Sequence, residues 1–411
     1  MSDTTWDIRL YDRFGVALNT NYSGYSDSGI TNQVAHATDR QMYFTLNGVD
    51  TLNFSVYLDD PIATQISRLA TFVKVWRTVP GYFDPTNEPC FAGIVGNHQK
   101  VGSQGIMRVG VLNPFWRLQM RFHLNNHYLK TDPETGQLYR QSNLIWRLIS
   151  FLSAAFVGAN VSYTGIDKGT FYDLASEIVM APYFQPKGAN SWSEIFDGIL
   201  ARAGSIDLIP RYSHTSGSQR LMYLDTALKR GLDKSSTVSF NYRFEPSNLD
   251  DITETVEVVP GKFGNYVWAV GAGGPNSGRV AVAGDASPIG DGYDSIGVYM
   301  ANNSYPDYKR IGLGPEAEGG PTHLRAVAWN DLARSINPDT RYDAVLSPAA
   351  TIYYGKDFEV GDVIKLNMLK GALNTSNVKQ RIYECGLSIS DNNIEVATPR
   401  IANDFFGKVV T

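Results

Sequence analysis

Residues 52–58 alternate strictly, with Leu52, Phe54, Val56 and Leu58 on one face and Asn53, Ser55 and Tyr57 on the other. A period of two over that length is the pattern of a strand with one buried face, and an amphipathic helix cannot produce it. Asn47-Gly48 just ahead is a turn signal, because both residues tolerate the left-handed backbone of a tight hairpin, and Asp59-Asp60-Pro61 stops the run. Trp6, Ile8 and Leu10 alternate in the same way with Asp7, Arg9 and Tyr11, and apolar runs follow at 72–77 and 91–95. Short strands at close spacing, separated by turns, predict a barrel or sandwich over residues 1–125.

The pattern changes near Asn125. Over 142–157, Leu144, Ile145, Leu148, Phe151, Leu152 and Ala155 follow helical spacing. A second helix is predicted at 191–203, where Ser191 and Glu194 form a capping box, Trp192, Ile195, Phe196, Ile199 and Leu200 make one stripe, and Gly204 suits the C-terminal cap. A strand pair at 206–209 and 221–224 completes an α+β middle domain, 126–245. A polar stretch, 232–251, leads into a second β-rich region, 246–411. There, strands are expected at 255–259, 266–270, 350–354, 363–366, 381–388, 394–401 and 405–410. The glycine-rich segment 271–320 reads as a loop, or strands with long turns, serving as a contact arm or else disordered in the isolated chain, with disorder the favoured expectation, and a helix is expected at 322–336, ended by Asn337-Pro338. The expected fold class is mainly β with an α+β insert: barrel, insert, barrel. The two β-rich ends are not obvious repeats of one another.

At 411 residues, with 43% hydrophobic and 19% charged side chains, the chain can bury real cores and suits roughly two or three domains. Its formal charge, 36 − 41 = −5, excludes a generally basic protein that coats nucleic acid. Cys90 and Cys385 are the only cysteines, which excludes a disulfide scaffold or a cysteine-based structural zinc site and suits a reducing cytosol. The N-terminus has neither a basic start nor an apolar run. The longest apolar stretch, 144–157, is broken by Arg147 and falls short of the roughly 20 residues of a membrane span. A soluble chain without membrane insertion is expected.

No constellation of catalytic residues emerges. His123 and His127 have ligand spacing only on a helix, no Glu follows His123, and the segment succeeds a strand-rich stretch, so a surface or hydrogen-bonded pair is expected rather than a metal site. Val270-Gly271-Ala272-Gly273-Gly274 follows a strand, but Pro275 and Asn276 stand where a dinucleotide-binding turn opens its helix, so it reads as a loop. The sequence contains no phosphate loop ending in Gly-Lys-Ser/Thr, no Gly-x-Ser-x-Gly elbow and no His-Glu-x-x-His. Cys385 reads as a small buried side chain in a strand. Asp59/Asp60, Asp250/Asp251 and Glu316/Glu318 are glycosidase carboxylates by type, yet each sits beside a turn signal, where solvated acids are the rule. The expectation is a protein that is not an enzyme, with no catalytic residue, cofactor or metal.

Leu46-Asn47-Gly48-Val49-Asp50-Thr51-Leu52-Asn53-Phe54-Ser55-Val56, then Asp60-Pro61, then Val73-Lys74-Val75-Trp76-Arg77, then Phe91-Ala92-Gly93-Ile94-Val95 resembles the start of phage tail hub proteins. These are the tail-tip or baseplate hubs of long-tailed phages, including minor tail proteins of phages infecting actinobacteria. Tyr354-Gly355-Lys356-Asp357-Phe358-Glu359-Val360-Gly361-Asp362-Val363-Ile364 resembles an element near the end of such hubs. In layout the resemblance covers nearly the whole chain. It implies two small tube-like β-barrels, 1–125 and 246–411, standing side by side as separate β-walled units around the middle α+β domain. It also implies a homotrimer whose six barrels form a ring between a sixfold tail tube and threefold tip components. The implied partners are the distal tail ring protein, the tape measure protein and a central spike or fibre tip protein. Double-stranded DNA would be met only in transit through the lumen. The implied location is the virion tail tip, after synthesis and assembly in the host cytoplasm. A passage for DNA should not hold it, so lumen-facing side chains are expected to be acidic or uncharged polar. Larger relatives carry a wall-cutting or fibre-like extension after the last strand candidates; none is expected here, so any wall-degrading activity of the tail is expected to come from another protein. Two alternatives stand beside this reading: a carbohydrate-binding or glycan-hydrolysing tail protein acting on the host wall, and a capsid or fibre attachment module, which would need a repeat-bearing end.

Overall fold

The computed structural model describes residues 4–18, 32–34, 36–82, 88–119, 127–129, 165–170, 183–185, 207–213, 220–227, 229–257, 266–270, 280–284 and 339–402. The helices expected at 142–157, 191–203 and 322–336, the strand at 405–410 and most of the glycine-rich segment lie outside them. The described residues are mainly β.

Six strands come first: β1 (Thr5–Tyr11), β2 (Thr38–Thr45), β3 (Thr51–Tyr57), β4 (Phe72–Thr78), β5 (Phe91–Val101) and β6 (Ile106–Leu112). They form an antiparallel row in the spatial order β1-β4-β5-β6-β3-β2. Trp6, Ile8 and Leu10 of β1 and Leu52, Phe54 and Val56 of β3 are buried, as their alternation predicts. Asn47 takes φ 57° in the turn between β2 and β3. Residues 32–34 bond to the outer edge of β1, Leu10 N–H donating to Asn32 O at 2.9 Å and Val34 N–H to Ile8 O at 2.8 Å, and the chain then enters β2 at Thr38. That link draws the two ends of the row together and curls the sheet.

Short strands follow: β7 (His127–Leu129), β8 (Ile166–Lys168), β9 (Tyr183–Gln185), β10 (Asp207–Tyr212) and β11 (Met222–Ala227). β10 and β11 are the expected antiparallel pair, and β8 joins β11 in parallel. β7 pairs with β9, so His127 lies in a strand, while His123 is outside the described residues.

The second row consists of β12 (Ser239–Tyr242), β13 (Leu249–Glu257), β16 (Asp339–Leu346), β17 (Val363–Lys370), β18 (Leu373–Ile389) and β19 (Glu395–Ala402). Between β13 and β16, β14 (Tyr266–Val270) and β15 (Val280–Gly284) pair with each other. The second row has the order β12-β17-β18-β19-β16-β13. β12 thus belongs with the C-terminal strands although it precedes the expected boundary at 245 and lies in the stretch read as polar. Residues 350–354 are not a strand; they carry only the isolated bridge from Tyr354 to Phe358.

Counted in chain order within each row, both rows read 1-4-5-6-3-2. The match extends to register. β5 pairs with β4 along its first part and β6 along its second, and Ile94 meets both Phe72, the first residue of β4, and Leu112, the last of β6. In β18 the same switch falls at Arg381, which meets Val363, the first residue of β17, and Ala402, the last of β19. A bulge follows each switch, between Val95 and Asn97 and between Ile382 and Glu384. Only the first strands differ in direction, β1 running antiparallel to β4 and β12 parallel to β17.

The two rows are not separate units. β2 pairs antiparallel with the second part of β18, from Thr45 opposite Glu384 to Arg40 opposite Ile389, and one 12-stranded sheet results. This corrects the expectation of two independent β-walled units, and among the described residues neither row closes on itself by a continuous ladder. The cause is a vacated edge: β17 leaves β18 at Arg381, and β2 takes up the backbone groups that follow, which would otherwise go unpaired. One cluster of buried side chains runs through both rows.

Two backbones meet at glycines. Gly231 has φ 86°, and a Cβ there would lie 2.2 Å from the carbonyl carbon of Gly361, itself at φ 100°. Gly231→Ala is expected to cost about 2–3 kcal/mol in chemical denaturation, from left-handed strain and a clash with backbone that cannot turn aside.

Candidate functional site at the joint between the rows

Arg77, near the end of β4, reaches across to Glu395, the first residue of β19. Its Nε donates to Oε2 at 2.7 Å and its Nη2 to Oε1 at 2.5 Å, a two-pronged pair with both side chains 6% exposed. The planar fork of a guanidinium matches a carboxylate in this geometry. Trp6 Nε1 donates to the same Oε2 at 2.8 Å, and Arg77 Nη1 donates to the Tyr354 carbonyl at 2.6 Å. Burial alone would push the Arg77 pKa down, but the hydrogen bonds and charge of Glu395 hold it above its ordinary value.

Apolar contacts lie beside this pair. Phe44 of β2 stacks on Tyr354 with ring centroids 4.8 Å apart, and Tyr354 and Phe240 each meet Phe358 edge to face. Lys356 Nζ donates to the Pro80 carbonyl at 3.2 Å. Cys385 stands opposite Phe44 in the ladder, fully buried, and burial pushes its thiol pKa far up. Since the thiolate is the reactive form, Cys385 is expected to ignore thiol reagents in the native protein and to react once urea opens the joint, as read by mass spectrometry.

A second polar cluster binds the middle strands to both rows. Asp207 Oδ2 accepts from Arg381 Nη2 at 2.5 Å and from the Arg230 N–H at 2.7 Å, while Oδ1 accepts from Asn47 Nδ2 at 2.9 Å. Asn47 Oδ1 accepts from the Leu208 N–H at 2.7 Å. Arg381, wholly buried, also donates to the carbonyls of Gly361 and Arg230, at 3.1 Å each. Asn47 belongs to the first row, Asp207 to β10 and Arg381 to the second row, so one carboxylate gathers three regions of the chain.

Asp50 accepts from the Thr45 N–H at 2.8 Å and from the Tyr212 hydroxyl, to which Asn113 Nδ2 also donates at 3.3 Å. Burial raises the Asp50 pKa in spite of the charge of Arg230, and burial with Asp50 raises that of Tyr212. A carboxyl with a raised folded pKa takes up its proton more readily folded than unfolded. Its contribution to stability is therefore full below the ordinary carboxylate range and is lost as pH rises through the elevated value. Asp50→Asn is expected to cost less than about 1 kcal/mol at neutral pH, and Asp50→Ala about 2, because alanine strands the Thr45 N–H and the Tyr212 hydroxyl. Urea titrations of the two variants make the comparison.

The residues singled out in the sequence for chemistry do not converge here. Asp60 Oδ1 accepts from the Ile62 N–H at 3.0 Å and caps the short helical turn Pro61–Thr64. Asp251 Oδ1 accepts from the Ile252 N–H at 2.9 Å. His123, Glu316 and Glu318 lie outside the described residues. Among the described residues, no group of three or more His, Cys, Asp and Glu is placed to hold a metal ion, and no helix is long and apolar enough to cross a membrane. The joint fixes parts of the chain against one another. Arg77, Asp207, Arg381 and Glu395 all stand in segments expected to be strands, but the partners lie far apart in the chain, Arg77 and Glu395 by 318 residues, and no local pattern joins them.

No protein-family model matches the sequence, and no curated protein matches it. Solved structures do resemble the fold. A tail protein from Neisseria meningitidis is similar with a TM-score of 0.56 at 9% identity, over 98% of this chain and 97% of that one. The 43 kDa tail protein of prophage MuSo2 from Shewanella oneidensis gives 0.55 at 11% identity, over 98% and 99%. Prophage tail protein gp18 from Listeria monocytogenes gives 0.52 at 11% identity, over 97% and 94%. Each is matched nearly end to end, so the architecture as a whole is that of phage tail proteins.

Proposed function

We propose that this chain, which has the fold of phage tail proteins, is the structural hub of a phage tail tip. It assembles as a homotrimer whose six strand rows form a ring, joining the sixfold tail tube to threefold tip components. The observation that carries the reading is the strand plan written twice in one chain and held by a buried joint. A protein that offers two equivalent rows presents six positions in three copies, which is what a change from sixfold to threefold symmetry requires. A joint built from a ladder, a buried ion pair and stacked rings suits a part that must keep its two rows in fixed relation under load.

In this reading the partners are the distal tail ring protein on the tube side, the tape measure protein within, and a central spike or fibre tip protein below. Double-stranded DNA passes through the ring during ejection, and the side chains facing it are acidic or uncharged, since several lysine or arginine contacts to phosphates would retain it. The role is architectural, within the virion. Native mass spectrometry of the purified chain, alone and mixed with the distal ring protein, tests the stoichiometry. Three copies per complex are expected; a chain that remains monomeric with its ring partner, or that forms hexamers, would contradict the reading.

A further inference from the structure

Asn47-Gly48 is the only Asn-Gly pair in the sequence. Asparagine is thermolabile, and most so before glycine, which leaves the next backbone nitrogen unshielded and free to reach the side-chain amide carbon. Packing nevertheless demands both residues. A Cβ on Gly48 would lie 2.7 Å from Cγ2 and 3.0 Å from Cβ of Thr45, a stiff β-branched side chain whose own N–H is bonded to Asp50. Asn47 holds φ 57°, a left-handed backbone that asparagine tolerates better than most residues with a Cβ. Its amide also serves two partners at once, Oδ1 accepting from the Leu208 N–H at 2.7 Å while Nδ2 donates to Asp207 Oδ1 at 2.9 Å. An ionised aspartate in its place would have no donor for Asp207.

We propose that Asn47 is a site of spontaneous self-modification that the fold holds off, and that a chain modified there is barred from the native joint. In the first step the Gly48 nitrogen bonds to Asn47 Cγ and gives up its proton, the Cγ–Nδ2 bond breaks, and Nδ2 leaves as ammonia. Water then opens the cyclic imide at either carbonyl and leaves an aspartate or an isoaspartate. The balance is amide plus water to acid plus ammonia, with nothing oxidised or reduced. In the native chain, ring closure requires the amide to turn out of both of its hydrogen bonds. The partners of those bonds lie 160 and 161 residues further along, so the restraint exists only once β10 has docked on the turn between β2 and β3. A chain in which β10 is undocked has no such restraint.

The product is excluded on electrostatic grounds. An aspartate at position 47 puts an oxygen where Nδ2 stood, 2.9 Å from Asp207 Oδ1. Two carboxylates at that distance cannot both ionise. Asp207 is already the anion for the wholly buried Arg381 and the acceptor for the Arg230 N–H, so the joint opens instead. Isoaspartate also routes the backbone through the side-chain carbon, adding an atom to a turn whose flanking strands pair Met42 with Leu52. The reaction therefore acts as a one-way timer. A chain that closes the joint keeps Asn47, and a chain that lingers unfolded loses the ability to close it.

Peptide mass spectrometry of the full chain, kept warm at mildly alkaline pH, tests the protection by following conversion at Asn47, with chromatography separating the aspartate and isoaspartate peptides. Conversion is expected to be at least about tenfold slower in native buffer than in denaturing urea. In wild type at low urea it should follow amide exchange in β10 and β11 rather than in β4 and β5. Asp207→Ala, under conditions where circular dichroism shows its strands intact, should convert at least about tenfold faster than wild type. Equal rates in the native and unfolded chain, conversion that follows β4 and β5, or a folded Asp207→Ala that converts no faster than wild type overturns protection by the joint. Should that variant fail to fold, the wild-type measurements decide. For the exclusion, chain partly converted in urea is diluted to refold, and the refolded fraction should be depleted of aspartate and isoaspartate at position 47. Asn47→Asp, made directly, should unfold at lower urea than wild type at neutral pH. A refolded fraction as rich in modified chain as the starting material, or an Asn47→Asp chain as stable as wild type, overturns the exclusion.

Discussion

Glu395→Ala is expected to lower the stability of the chain by about 3–5 kcal/mol, the penalty of leaving a buried charge without its counter-ion. Arg77 is the charge left stranded. Its guanidinium is 6% exposed, cannot shed its proton, and would keep only the Tyr354 carbonyl among the partners named above. The indole N–H of Trp6 loses its acceptor in the same step. Glu395→Gln keeps acceptors in place without the charge and should cost about half as much. Arg77→Met combined with Glu395→Leu should recover most of the loss, since an apolar pair of similar volume removes the stranded charge together with the pair. Urea unfolding followed by tryptophan fluorescence and by circular dichroism reads all three. The alanine variant should in addition make the two probes part company, because Glu395 ties the first row to the second.

Asp207→Ala comes next in size, at about 3–5 kcal/mol on the same physics. Arg381 is wholly buried, and Asp207 is the acid it pairs with at 2.5 Å. The Arg230 N–H and Asn47 Nδ2 lose their acceptor as well. The loss should be local before it is global: amide exchange should speed up first in β10 and β11, whose link to Asn47 and Arg381 is cut, while β4 and β5 stay protected. Uniform acceleration over all strands would mean that the cluster does not anchor the middle strands.

The strands with strict alternation could be read directly. Trp6, Ile8 and Leu10, and Leu52, Phe54 and Val56, each announce a buried face, and Asn47-Gly48 announces its turn. β16 also alternates, with Tyr342, Ala344 and Leu346 buried, but it follows directly on Pro338, which reads as the end of a helix, and so it is not expected as a strand. β12 is only four residues long, too short for any period to show. Residues 350–354 have the β-branched and aromatic content of a strand, yet Tyr354 is committed to Phe44 and Phe358 instead of to a ladder. The duplication was invisible for a physical reason. What the rows share is strand order, switch point and bulge, which are backbone properties, whereas the side chains at matching places answer to different neighbours: Ile94 packs in a core where Arg381 holds a carboxylate. The joint was invisible because partners such as Arg77 and Glu395 lie 318 residues apart, and nothing local marks them.

The central claim is that one chain supplies two equivalent places in a ring. Electron microscopy of assembled tail tips measures this most directly, by counting lobes and chains at the level of the hub. The account predicts six strand-walled lobes from three chains, alternating between two kinds. Six lobes of one kind from six chains, or three lobes from three, would contradict it.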